Sequence, residues 1–397
     1  MTMISVLTIA LWIVAALAAL PLAVFTLEML LGLWPSRTHN IATAPNPSVA
    51  VLMPAHNEAS GIANTLAKLK AAAPADTRVV VVADNCSDDT AKIARDCGVE
   101  VIERSHETER GKGYALAFGR DHLAQQASPP EVVIVLDSDC ELHGGSVEAL
   151  AAEAQTRAVP VQAVNLISGD LTAPPMVQVS SFAMVVKNLF RSRGMQRLGG
   201  AALLTGTGMA FPWAIFSKAK LATGNIVEDL GLGIELTRTG KPPRLIGHAH
   251  VRSAPADMRD ALTQRTRWEH GFLQTVRTHA LPTFLGGIRR FSLAEILLGL
   301  HLMVPPLALL VMLSGLVFAA LSCAAWLTAI IGPAALLGGV LSTALVLILI
   351  GWIVNGREFL SGGALLRMPL YVLWKIPVYL GFLKGPEANW KRTERRP

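Results

Sequence analysis

Charge is scarce in this 397-residue chain: Asp, Glu, Lys and Arg make up 16% of it, against about 25% in an ordinary soluble domain. Hydrophobic residues fill the gap at 52%, with a mean hydropathy of +0.44. Cys86, Cys97 and Cys140 share no C-x-x-C spacing, so the common zinc frameworks are excluded and free thiols of a reducing compartment are expected. No basic run with interleaved aromatics occurs, which excludes nucleic acid as a partner; the net charge of +6 suits a surface lying on anionic lipid instead. A dinucleotide-binding GxGxxG is missing after the first apolar strand pattern, where the chain reads PAHNEASG, so hydride chemistry with NAD loses its main support. The loop Glu109-Arg110-Gly111-Lys112-Gly113-Tyr114 lacks the spacing and hydroxyl of a P-loop, which argues against ATP hydrolysis. There is no solenoid-length repeat and no low-complexity segment beyond Ala-rich apolar runs.

What is present falls into apolar runs at the two ends and an alternating pattern between them. Val6 to Trp34 is almost wholly apolar, and a hydrocarbon core of about 30 Å takes about 20 helical residues. The run has neither the charged start nor the cleavage site of a signal peptide, so an anchor is expected. Leu293 to Leu321 and Leu327 to Val354 read as a transmembrane hairpin joined near Cys323 and Trp326. Arg37, Arg289, Arg290, Arg357 and the tail Lys391-Arg392-Thr393-Glu394-Arg395-Arg396 flank these runs. By the positive-inside rule three spans with an external amino terminus put all these flanks, and the segment between the first two spans, in the cytosol.

That segment alternates strand and helix patterns. Strands are expected at Ser48 to Met53, Arg78 to Ala83, Val99 to Glu103 and Val132 to Leu136, and helices at Gly61 to Ala73, Asp89 to Cys97 and Tyr114 to Gln126. The order predicts an α/β fold with a mostly parallel sheet covered by helices, its active loops at the carboxyl ends of the strands. Val132 to Leu136 lacks alternation, as a strand buried on both faces does, and Asp137 and Asp139 follow it directly.

Three strand ends thus supply polar residues to one cleft: Pro54, His56, Asn57 and Glu58; Asp84; and Asp137, Ser138 and Asp139. Asp84 could accept hydrogen bonds from a base edge or a ribose. Two neighbouring carboxylates repel unless a cation or a shared proton compensates them, and beside phosphate the compensation is Mg2+ or Mn2+. Acids in strand-to-helix turns also serve as helix caps, and for Asp88 and Thr90 capping is the better reading. Lys112 is a candidate nucleotide contact. Leu204 to Met209 is small enough for close backbone approach to a substrate. Glu228 and Asp229 precede a helical pattern, where capping explains one of the two. Adjacent residues at a helix start point about 100° apart, so one of them is expected to face the cleft. Gln264, Arg267 and Trp268 share a helix face by i, i+3, i+4 spacing, an amide, a guanidinium and an indole suited to a departing diphosphate and a stacked acceptor ring.

The ordered series PAHNE, ADNCSDDT, DSDC, VED and QRTRW, followed by membrane helices, resembles the membrane-bound inverting glycosyltransferases of family 2. That group contains cellulose, chitin and hyaluronan synthases, nodulation chitooligosaccharide synthases and ceramide glucosyltransferases. The resemblance covers about residues 48 to 282 and implies a glycosyltransferase A-type domain that uses a UDP-sugar. It implies that Asp84 binds the uracil end, that Asp137 and Asp139 are the D-x-D pair with Asp139 on the metal, and that Asp229 is the general base, with VED in place of the more usual TED. Gln264, Arg267 and Trp268 become the Q-x-x-R-W element.

The expected layout is an anchor at 1–36, a cytosolic transferase domain at 45–282 with interfacial helices, a hairpin at 290–355, and an interfacial segment with a basic tail at 356–397. Met176 to Leu198 and Leu366 to Leu383 are the segments expected to lie on the membrane surface. The expected partners are a UDP-sugar, a lipid or glycan acceptor and membrane lipids, in the inner membrane of the cell. A polymer channel is under-built for the large synthases, unless the chain oligomerises or an accessory export protein adds helices. Against the enzyme stands a membrane protein that only senses nucleotide sugars; its spans carry Glu28, Glu295 and His301, too few ionisable groups for a permeation path.

Overall fold

The computed structural model describes residues 3–35, 47–222, 228–254 and 258–384, with residues 3, 258–265 and 383–384 described by backbone alone. Arg37, Val227 and the basic tail lie outside the described residues. The chain forms two compact units: Pro35–Ser168 with Ala201–Trp268, and Met1–Trp34 with Gly169–Gly200 and Glu269–Glu387.

The first unit is built on an eight-stranded mixed sheet. In chain order its strands are β1 Val49–Ala55, β2 Arg78–Asp84, β3 Glu100–Arg104, β4 Val132–Val135, β5 Cys140–Leu142, β6 Val161–Ile167, β7 Met209–Pro212 and β8 Arg244–Ser253. Their spatial order is β3-β2-β1-β4-β7-β6-β8-β5. The pairings among β3, β2, β1 and β4 are all parallel, as the alternating pattern requires. Beyond β4 the sheet is mixed: β7 runs antiparallel to both β4 and β6, β8 runs parallel to β6, and β5 closes the edge antiparallel to β8.

The β-branched runs form strands because both faces are covered. Val51, Met53, Val79, Val81, Val132 and Ile134 pack with Ile62, Leu66 and Leu69 of the helix Ile62–Ala72. The alternate residues Leu52, Val80, Val82, Val133 and Val135 pack on the other side with Leu116 and Leu123 of the helix Lys112–Ala124. Each such aliphatic side chain contributes about 1.5–3 kcal/mol on burial. At Gly119 a Cβ would lie 2.5 Å from Leu52 Cδ1, so the helix rests flush on the sheet and a branched residue there would wedge it off.

One boundary differs from expectation in a way that bears on the site. β1 runs on through Pro54 and Ala55, which pair with Val82 and Ala83, so Pro54 is part of the sheet instead of the loop. Leu52 O accepts from Leu136 N, so Leu52, and Pro54 two residues on, face the β4 side, where regular pairing has ended by Leu52. The missing proline N–H therefore breaks no ladder bond.

Among the described residues, the second unit holds three helices long and apolar enough to cross a membrane: Ile4–Gly32, Leu307–Thr328 and Gly332–Gly356. The expected second span is broken. Leu293–Leu302 is a separate helix, and Pro305 and Pro306 start the next one, because proline lacks the N–H and clashes with the preceding turn. The hairpin connection accordingly falls at residues 329–331, past the expected Cys323–Trp326. Residues 169–200 and 269–282, expected in the transferase domain, belong to this unit. Much of Met176 to Leu198 is buried within this unit: Val177, Phe182, Val185, Leu189, Phe190 and Met195 are buried. Arg191 is buried too, and its Nε donates to Glu28 Oε2 at 2.7 Å. A Cβ on Gly194 would lie 2.0 Å from Glu28 O, so only glycine lets the two helices cross this closely. Leu366 to Leu383 does alternate, with Leu366, Leu370, Leu373 and Leu380 exposed and Tyr371, Lys375 and Tyr379 buried.

Candidate active site

Two asparagines with positive φ, Asn57 and Asn85 (55° and 52°), turn the chain sharply after β1 and β2. Asn57 Oδ1 accepts from Ser87 N at 2.7 Å, and His56 Nδ1 lies 2.7 Å from Asp84 O. Thr90 Oγ1 accepts from Glu58 N at 2.7 Å, while Asp88 accepts from Thr90 N at 3.0 Å and from Ala59 N at 3.2 Å. These bonds fasten the two loops to each other. The N-cap of the helix Thr90–Asp96 is Asp89, without a side-chain capping bond, so the capping expected of Asp88 and Thr90 gives way to bonds that join the two loops, and Asn57 commits its carboxamide oxygen to the neighbouring loop.

Asp84 is buried, and its Oδ1 accepts from Arg104 Nη1 at 2.8 Å and from Asn85 Nδ2 at 3.1 Å. Arg104 stands opposite Asp84 in the β2–β3 register, donates to Glu109 O at 2.8 Å and lies 5.6 Å from the centre of the Tyr114 ring. A carboxylate, a guanidinium and an aromatic ring therefore meet where a planar base could be held.

Asp137 N donates to Thr207 Oγ1 at 3.1 Å. Lys112 Nζ is paired with Asp137 Oδ1 and donates to Gly206 O at 2.7 Å. Gly206 has φ +82°, and a Cβ there would lie 3.2 Å from Lys112 Nζ and 3.4 Å from Asp229 Oδ2. The 204–209 loop, Lys112, Asp137 and Asp229 therefore converge on one point. The buried Gln162 amide holds that loop, donating to Thr207 O at 2.9 Å and accepting from Thr205 N at 3.0 Å.

Ser138 is buried beneath the same turn, and Cys140 Sγ donates to Asp139 Oδ1 at 3.3 Å. Ligand atoms of Asp137, Asp139 and Cys140 all lie within 4.8 Å of one another. Two carboxylates and a sulfur at that spacing fit a divalent cation. Burial and the Asp137 charge push the Cys140 thiol up to about 12, so without a cation it stays protonated.

A pocket opens beside these groups, walled by Leu116, Val135, Phe211, Phe216 and Leu232. Both Glu228 and Asp229 line it, at the start of the helix Glu228–Arg238. The expectation that one of them faces the cleft is therefore corrected, since a pocket at the first turn receives side chains from adjacent positions. Burial, then the Asp229 charge, pushes Glu228 up to about 7, with Lys112 offsetting only part of the rise. Burial would lower the Lys112 pKa, yet Asp137, Glu228 and Asp229 hold it above the ordinary lysine value. One ammonium thus serves several carboxylates, a surplus of negative charge that a cation would relieve.

Arg267 and Trp268 stand on the helix Met258–Thr275, Trp268 partly exposed; Gln264 is on the same helix, its side chain outside the described residues. Gln162 and Arg104 went unread in the sequence, and Thr207 was read only as part of the Leu204 to Met209 loop, without its hydroxyl. Of these only Arg104 carried a signal there, a basic residue ending the strand beside the one that ends at Asp84.

Residues 45–271 match the family described as Glycosyltransferase like family 2, and the chain belongs to that family. Uncharacterized glycosyltransferases of Mycobacterium tuberculosis and Mycobacterium bovis are 33% identical over 106 residues, which is 27% of this chain and 43% of theirs. The match thus spans less than half the length of these curated relatives. A mannosyltransferase of Pyrobaculum calidifontis, solved with GDP-Man and Mn2+, shares the fold with a TM-score of 0.50 and 19% identity, over 85% of this chain and 99% of that one. The mixed α/β sheet of this chain has a GT-A-like fold.

Proposed function

We propose that this chain transfers a sugar with inversion from a UDP-sugar to a membrane-associated acceptor, a lipid, a lipid-linked glycan or a growing polysaccharide, in cell-envelope or exopolysaccharide synthesis. The observation that carries this reading is the convergence of Asp137, Asp139, Lys112 and Asp229 at the carboxyl end of β4, one strand away from the loop held by β1 and β2. Asp137 and Asp139, with Cys140 beside them, would hold Mg2+ or Mn2+, which when bound supplies positive charge to the diphosphate. Asp84 and Arg104 orient the base, with Pro54, His56, Asn57 and Glu58 framing that loop. Asp229 takes the proton of the acceptor hydroxyl as its oxygen bonds to the anomeric carbon. The bond from that carbon to the diphosphate oxygen breaks, and the electron pair leaves with UDP. Arg267 meets the departing charge, Gln264 supports it and Trp268 stacks on the acceptor ring.

The catalytic unit is placed in the cytosol, with the three spans in the inner membrane and the amino terminus outside. Three spans favour a single transfer over a processive synthase, which would need oligomers or an accessory export protein. The test incubates purified protein and native lipid extract with labelled UDP-sugars and, because the similar mannosyltransferase of Pyrobaculum calidifontis was solved with GDP-Man, GDP-mannose. Label migrating with lipid or short glycan supports the reading, label in long polymer supports the processive alternative, and no transfer from any donor leaves only a nucleotide-sugar sensor.

A further inference from the structure

Within the helical unit, residues 169–200 carry Lys187, Arg191, Arg193 and Arg197 against the single acid Asp170. Arg191 has its counter-charge in Glu28 of the span Ile4–Gly32. Arg193 has none: its Nε is shut off from water and has no hydrogen-bond partner among the described residues. The charge beside it is that of Arg197, one helical turn on, which repels it. A guanidinium cannot escape by losing its proton, so Arg193 stays charged and half-buried without an acid to offset it.

The pair stands where the span ends. Gly194 meets Glu28 at the close helix crossing, and Arg197 donates to Leu31 O and, at 2.8 Å, to Trp34 O, serving carbonyls that the end of a helix leaves open. Arg193 and Arg197 therefore flank the level of Glu28 to Trp34, which for a helix crossing a bilayer is the level of the lipid phosphates. Leu27, Leu30 and Trp34, spaced as on one helix face, are 45%, 42% and 62% exposed, an apolar strip leading to the same end. We propose that Arg193 and Arg197 hold the phosphate of an anionic phospholipid whose acyl chain lies on Leu27 and Leu30. A lipid suits the place better than a soluble anion because the charge stands beside that strip, and an anionic lipid better than a zwitterionic one because the latter brings a cation of its own to two guanidinium groups. Such a site is independent of the transfer chemistry.

The experiment uses the full chain in neutral detergent and follows its melting temperature as phosphatidylglycerol, phosphatidylcholine or inorganic phosphate is added, with native mass spectrometry to detect retained lipid. Wild type should gain about 2 °C or more from phosphatidylglycerol, saturably, and nothing comparable from the other two. Arg193→Met should melt at or above wild type before lipid is added, because it deletes an uncompensated charge, and should lose both the gain and the retained phosphatidylglycerol. Arg193→Lys, a point charge without the planar fork, should keep part of the gain, and Arg367→Met, which removes an exposed cation of the same unit, should keep all of it. An Arg193→Met chain that melts well below wild type without lipid would mean that the guanidinium already has its partner in the fold, and overturns the proposal. A full gain in Arg193→Met, or an equal gain from phosphatidylcholine, overturns it as well. An equal gain from inorganic phosphate alone replaces the lipid by a soluble anion and overturns it too.

Discussion

Asp84 Oδ1 accepts from Arg104 Nη1 at 2.8 Å, so the carboxylate proposed for the base is already neutralised by a residue of the next strand. Its ion-pair partner is part of the fold, so it calls for no metal. Asp84→Ala should therefore weaken UDP binding in excess chelator, where Asp139→Asn has little effect. Calorimetry of both variants with and without Mn2+ checks this, and equal losses without metal would refute the division of labour.

Lys112 is the cation now paired with Asp137, and a metal ion must share or displace it. Chelation should abolish transfer and Mn2+ or Mg2+ restore it. Lys112→Met removes the competitor along with a nucleotide contact, so it should tighten Mn2+ binding in the absence of UDP yet lower turnover. Manganese titration by electron paramagnetic resonance measures the first effect. Full transfer in excess chelator would end the metal assignment.

The parallel half of the sheet was legible because strands buried on both faces must be continuous aliphatic runs, as Val79 to Ala83 and Val132 to Val135 are. The other half was not. β5 has three residues, and β8 alternates His248, His250 and Arg252 with smaller residues and shifts register opposite Ala163 and Val164, so neither shows a clean period. Asp137, Asp139 and Asp84 could be read because strand ends are where ligands bind. Gln162 and Thr207 could not, since their work is to hold a loop 45 residues away in sequence or to meet a turn 70 residues away. The break at Pro305 and Pro306 was visible in the sequence, where mean hydropathy outweighed it.

Glu228 gives a pH-dependent stability. Its folded pKa is raised from 4.5 to about 7, so between those values the folded chain keeps a proton that the unfolded chain releases. Stability is therefore full below about pH 4.5, falls as pH rises toward about 7, and stays low above it. Glu228→Gln cannot ionise and escapes this loss, which is at most about 3 kcal/mol at 1.36 kcal/mol per pH unit. In chelator, the melting temperature of Glu228→Gln relative to wild type should rise from pH 5 to pH 8. A constant difference across that range would show that Glu228 ionises normally.

Asp229, not its neighbour, is the proposed base, even though both line the pocket. A carboxyl raised to about 7 holds its proton about half the time at neutral pH, whereas Asp229 Oδ2 lies where a Gly206 Cβ would reach both it and Lys112 Nζ. That places Asp229 beside the lysine that pairs with Asp137. A base acts on the acceptor proton in the transition state and makes little contact with the donor, so Asp229→Asn should lower kcat by about 10²- to 10⁴-fold and leave UDP affinity unchanged. Glu228→Gln should cost less in kcat, because it removes a charge near the base without removing the base itself. Turnover and UDP calorimetry for both variants, with circular dichroism to verify folding, decide between them. Near wild-type turnover in Asp229→Asn, or a loss that merely follows failed UDP binding, would transfer the role to another group, with Glu228 first in line.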